Sequence, residues 1–202
     1  NGVNNDQRSN ELLKKVVDNL SATVALTEPS ISKKPFLYFV NNKISLNATC
    51  GLGHVMMVNA GTFTILNYNE EQIAFLVGHE MGHGMKNHAL KSPDKTVPIK
   101  LLGTIIANKN NTSMYSAQMT DMFMKYSVAK SVSVPFEWEA DNYGWDIAIK
   151  AGYNPGEGVA LWQKVKEKYG DQGKDFFGEL VSPSDHPTQS QRIANYEKKL
   201  TE

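Results

Sequence analysis

The apolar positions change period twice along the chain, and each change marks a change of element. Between Asn4 and Leu20, residues Leu12, Leu13, Val16, Val17 and Leu20 recur at three- and four-residue steps, which puts them on one broad face of an amphipathic helix. Beyond Pro29 and Pro35 the runs shorten. Phe36 to Val40, Ile44 to Leu46 and Val55 to Val58 are β-type stretches separated by Asn- and Gly-rich turns, a spacing that predicts one small antiparallel sheet. From Asn69 the helical period returns. Asn69 is a good N-cap, Glu70 and Glu71 suit the first turn, and Gln72 stands where a capping-box partner would, so a helix is expected to about Ala89, before Pro93.

Residues 95–134 carry two more helical patterns, broken at Asn108 to Asn111, and the second contains Met114, Met119, Met122 and Met124. Such methionines suit adaptable core, or a lid if the segment covers a cleft. Further helices are expected from Phe136 to Lys150, from Asn154-Pro155 to about Tyr169, and from after His186-Pro187 to about Leu200. The expected fold class is α+β, mostly helical with one small antiparallel sheet. A single domain is expected over residues 1–202, with a lead-in (1–35), a sheet and central helix (36–94), an insertion or lid (95–135) and C-terminal helices (136–202).

Composition narrows the function classes. A chain of 202 residues with 41% hydrophobic and 21% charged residues buries one good core and folds. Lys plus Arg and Asp plus Glu both number 21, so no net charge draws the chain to nucleic acid or to an anionic membrane. The apolar runs from Ile73 to Val77 and from Leu101 to Ala107 are far shorter than the ~20 residues that span a bilayer. No transmembrane segment is therefore expected, which leaves peripheral membrane association open. Cys50 is the only cysteine, which excludes an internal disulfide and directs any metal site to His and carboxylates. A start at Asn1, without methionine or an apolar leader, is expected of a trimmed chain or a mature product.

Within the helix that begins after Asn69 lies His79-Glu80-Met81-Gly82-His83, an HExxH motif. A four-residue step returns to the same helix face, so His79 and His83 can hold one metal ion together, and Glu80 beside them suits a water-activating general base. Gly78, Gly82 and Gly84 each cost a helix about 1 kcal/mol relative to alanine, which calls for compensation. Close approach of a neighbouring backbone at a metal site and tight packing in a metal-free core both supply it. Catalytic zinc usually has three protein ligands. A third histidine six residues after the second is absent, since that position is Ala89. The better candidate is Glu137, which shares a helix face with Asp141: one of the two can bind metal while the other orients a ligating histidine. Glu139 is a rival ligand. His54, His88 and Cys50 are expected to be structural, and the strand Val55 to Val58 is either a core strand or an edge that an extended substrate joins.

The order of these motifs resembles the gluzincin metallopeptidases of the CAAX prenyl protease and HtpX type, in particular soluble bacterial members. The elements are Asn47-Ala48, a strand and glycine from Val55 to Gly61, HExxH with His88 five residues on, Glu137 to Asp141 as ExxAD, Gly152 to Pro155, and His186-Pro187 followed by Arg192-Ile193. The resemblance implies a zincin-like fold, one zinc ion held by His79, His83 and Glu137, Glu80 as general base, and Asp141 hydrogen-bonded behind a ligand. It also implies that His186 lies near the metal, donating to the oxyanion or capping the open position. Relatives often carry an arginine three residues before the ligand glutamate, where this chain has Val134. The implied partner is a polypeptide substrate, in a bacterial periplasm or cell envelope. Two other readings are a zinc-stabilised peptide-binding module without turnover and a metal-free helical interaction domain.

Overall fold

A computed structural model describes residues 3–91, 133–171 and 187–202. Helix α1 (Gln7–Thr27) is opened by Asp6, whose carboxylate accepts from the Ser9 N–H, and it turns Leu13, Val16, Val17, Leu20 and Val24 into the core. Strands β1 (Leu37–Asn41), β2 (Ala48–Cys50) and β3 (Val55–Asn59) form one sheet in the order β1-β3-β2. After the short α2 (Ala60–Ile65) come α3 (Glu70–Met85), α4 (His88–Lys91), α5 (Val134–Lys150), α6 (Pro155–Tyr169) and α7 (Gln189–Leu200). The mostly helical α+β architecture is the one expected, and none of the described helices is long and apolar enough to cross a membrane.

The sheet differs from expectation in three ways. It is mixed: β1 runs parallel to β3, with Leu37 opposite Val55, while β2 is antiparallel to β3, with Ala48 opposite Val58. Ile44 to Leu46 forms no strand, and the second strand is Ala48–Cys50. Side chains claim the backbone of the 43–47 loop instead: Asn41 Oδ1 accepts from the Lys43 N–H, Thr62 Oγ1 from the Asn47 N–H and Tyr169 Oη from the Leu46 N–H. Ile44 is left exposed. Finally, β3 is the middle strand and all five of its residues are buried, so Val55 to Val58 offers no edge to a substrate.

Helix α3 is the axis of the molecule. Asn69 caps it through the Gln72 N–H, but the Gln72 side chain donates to Glu157 rather than closing a capping box. Every residue from Gln72 to Gly84 is buried, because α1, α5, α6 and β2 all pack around this helix. The helix stops at Met85, short of the expected Ala89, because Asn87 adopts φ 54° and turns the chain before α4. Two of its glycines face backbone. A Cβ on Gly78 would lie 2.9 Å from the Gly144 carbonyl oxygen, and one on Gly82 would lie 2.9 Å from the Ala140 Cα. Close approach of α3 to α5 is thus the compensation at Gly78 and Gly82, while at Gly84 it is the Phe36 ring and the Cys50 thiol that come close.

Candidate metal centre

This contact between α3 and α5 brings the sequence candidates together. His79 and His83 sit one turn apart on α3, Glu137 occupies the first turn of α5, and all three are buried. The two Nε2 atoms lie 3.1 Å apart. Glu137 Oε1 is 3.2 Å from His83 Nε2, and Glu137 Oε2 is 3.7 Å from His79 Nε2. One ligand atom from each residue lies within 4.8 Å of the others. Atoms bound tetrahedrally to a common ion at about 2.0–2.2 Å stand roughly 3.3–3.6 Å apart, a spacing that the observed separations bracket. The donor set therefore fits one zinc-sized cation.

Asp141, one turn after Glu137, faces the far side of His79: His79 Nδ1 is 2.8 Å from Asp141 Oδ1. A carboxylate accepts, so the proton sits on Nδ1 and Nε2 presents a lone pair towards Glu137 and His83. Two imidazoles and a carboxylate aimed at one point form a group that could hold a metal ion. The rival Glu139 is excluded from this point, because its half-exposed side chain turns outward to His88 and Lys86.

Glu80 is buried beside the triad, with Oε1 lacking a hydrogen-bond partner among the described residues. Burial, reinforced by the nearby Glu137 carboxylate, pushes its carboxyl well above the usual range, and the Cys50 backbone N–H offsets part of that rise. Burial likewise lowers the pKa of His83, favouring the neutral form that binds metal.

Arg192 completes the site, and sequence reasoning gave it no role beyond its place in the resemblance. A capping box between Thr188 and Gln191 opens α7 and sets Arg192 in its first turn. Its guanidinium forks, one arm donating to Asp141 Oδ1 at 2.6 Å and the other to Glu137 Oε2, while its flat face rests 4.3 Å above the Trp162 ring. Burial opposes the charge on Arg192, and attraction to Asp141 and Glu137 overcomes that opposition, so the group is held more firmly charged than usual. The ion pair to Glu137 thus comes from a different helix, α7. An arginine shortly after His-Pro is a weak signal, because nothing in its spacing points back to residues some fifty positions earlier.

His54 is engaged elsewhere, with Nδ1 2.8 Å from the Lys34 carbonyl and its ring stacked on Phe36. The Cys50 thiol packs against the space over Gly84, and burial raises its pKa, which suits no nucleophile. His186 and the methionines from Met114 to Met124 lie outside the described residues.

A helix bearing HExxH, met by an acidic residue from a second helix, defines the class as an HExxH-type peptidase domain. Residues 7–200 match the model of Peptidase family M48, and the chain belongs to that family. It is 26% identical over 134 residues to the mitochondrial metalloendopeptidase OMA1 of Saccharomyces cerevisiae, covering 65% of this chain and 37% of that protein. It is 23% identical over 175 residues to the metalloprotease LoiP of Escherichia coli, covering 85% of this chain and 66% of the relative. The beta-barrel assembly-enhancing protease of Escherichia coli is 23% identical over 130 residues, covering 61% of this chain and 26% of that protein. The chain spans less than two thirds of the length of these relatives.

Proposed function

We propose that this chain is a zinc-dependent endopeptidase domain, folded as one unit, that hydrolyses peptide bonds in extended or unfolded polypeptide. The observation that carries the reading is the convergence of His79 Nε2, His83 Nε2 and a Glu137 oxygen on one buried point, with the Glu80 carboxylate beside it. Zinc held there by His79, His83 and Glu137 would supply Lewis acidity, lowering the pKa of water to about 7 and polarising a carbonyl. The chain supplies the proton chemistry. Glu80 accepts a proton from the attacking water at Oε1 and returns it to the leaving amine. Asp141 holds His79 in its metal-binding tautomer, and Arg192 holds Glu137 and Asp141 in place. His186 is assigned by the resemblance to a place near the metal, to donate to the oxyanion or to cap the open position.

An extended substrate needs a sheet edge, and β2 provides one. It flanks β3 on one side only among the described residues, and the Cys50 backbone lies next to Glu80. A strand added at this edge is held through main-chain hydrogen bonds, which read backbone more than sequence. The relatives divide between a mitochondrial protein and bacterial proteins, so similarity alone does not select the periplasm.

The test is cleavage of a denatured, alkylated protein by the purified chain. Cleavage abolished by a chelator and restored by zinc is the expected result. Stoichiometric zinc without cleavage would favour the peptide-binding module, and chelator-insensitive cleavage would overturn the metal mechanism.

A further inference from the structure

His79 has Asp141 behind it, but among the described residues His83 has no carboxylate in that place. Its Nδ1 faces another imidazole: His83 Nδ1 and His88 Nδ1 are 2.9 Å apart, and His88 Nε2 is 3.1 Å from Glu139 Oε2. His88 is 3% exposed and is clamped by the Phe136 ring, stacked at 4.4 Å and 9°. A continuous helix would have turned residue 88 about 140° away from residue 83, at roughly 100° per residue. The break at Asn87, with φ 54°, reverses the chain so that His88 folds back over His83.

We propose that His88 is a positioning residue for His83, accepting the His83 Nδ1 proton and thereby fixing both the tautomer and the ring angle that aim Nε2 at the metal. The inference rests on the metal-centre reading above. Hydrogen-bond directions follow from the atoms involved. When Nε2 of His83 holds a cation, the ring proton sits on Nδ1, and His88 Nδ1 is the atom facing it, so His88 accepts. His88 then carries its own proton on Nε2 and donates it to Glu139. That carboxylate sits at the surface with Lys86 Nζ 4.0 Å away, where it acts as an acceptor. The three side chains form a line from surface to ligand, Glu139 orienting His88 and His88 orienting His83. His88 is too far along this line to be a ligand, since its Nδ1 is spent on the back of His83.

The two amide variants separate this role from simple packing. Asparagine places its oxygen close to the position of Nδ1, whereas glutamine places its amide close to Nε2. Zinc affinity, measured by competition with a chromophoric chelator, is expected to fall about 10–100-fold in His88→Ala and His88→Gln. His88→Asn is expected to stay within about threefold of wild type. In zinc-loaded protein, the ¹⁵N shifts of the His83 ring are expected to report Nδ1–H and bound Nε2 in wild type and in His88→Asn, and to broaden or change in His88→Gln. If the alanine variant does not fold, the Asn/Gln comparison carries the test, because the two differ in where the acceptor lies and not in polarity. Wild-type affinity in all three variants, or equal loss in Asn and Gln, would overturn the inference while leaving the metal centre intact. Failure of wild type to bind zinc would overturn the metal-centre reading and this inference with it.

Discussion

Gly144 on α5 lies against the backbone of His79 on α3 so closely that a Cβ added to it would stand 2.5 Å from the His79 nitrogen. The obstacle is main chain on both sides, so no side-chain rotation relieves it. Gly144→Ala is expected to destabilise the protein by about 3 kcal/mol or more, at the upper end of overpacking costs. Because separating α3 from α5 also separates His79 from Glu137, metal affinity is expected to fall in step. Urea unfolding of the metal-free protein and zinc titration of the same sample check both parts.

Glu80→Gln is expected to keep zinc and to lose at least 10²-fold in cleavage rate, since an amide cannot take the proton. The same substitution has a pH signature in metal-free protein. The folded pKa of Glu80 is raised by burial, so its contribution is fully present below the unfolded value of about 4.3 and is lost as pH rises through the folded value. Glutamine does not titrate. Wild type is therefore expected to lose stability relative to Glu80→Gln on going from pH 4 to neutrality, measured as the difference in urea midpoint. A constant difference across that range would contradict the buried environment assigned to Glu80.

Removing Arg192 strands two buried carboxylates. Arg192→Met is expected to cost about 3–5 kcal/mol, the range for breaking one partner of a buried ionic network. Arg192→Lys is expected to recover less than half, because an ammonium group cannot reach Glu137 and Asp141 as a planar fork. Denaturant unfolding of the three proteins ranks them.

On the proposed reading, Asp141 acts on the metal through His79, whose Nδ1 lies 2.8 Å from its Oδ1. Asparagine there still accepts from His79 Nδ1 but lacks the charge, so zinc affinity is expected to fall about tenfold in Asp141→Asn and nearer 100-fold in Asp141→Ala. Equal affinity in wild type and Asp141→Ala would show that the Asp141–His79 contact does not serve the metal.

Much of this architecture is legible in local pattern. The caps at Asn69 and Asn154 and the apolar face of α1 act through neighbours a few residues away, and the corresponding helices appear where those signals place them. The His79–His83 pair is legible for the same reason, being one helical turn. Glu137 and Asp141 share a face by the same rule, but their choice over Glu139 was settled by which side of α5 meets α3. What stayed hidden depends on contacts distant in sequence. The sheet departs from local pattern because β1 pairs with β3 across an intervening strand, and because Asn and Thr side chains hold the 43–47 loop. Arg192 and the back-folded His88 were unreadable as parts of the site because a guanidinium from α7 and a left-handed turn at Asn87 leave no periodic trace.

The fork of Arg192 has a temporal meaning as well as a spatial one. A nascent polypeptide released as far as residue 171 already owns both imidazoles and both acids, yet it lacks the guanidinium that makes their mutual proximity tolerable. On the proposed reading, the centre reaches its full charge balance only once α7 has been made and has docked, since Arg192 is carried on that helix.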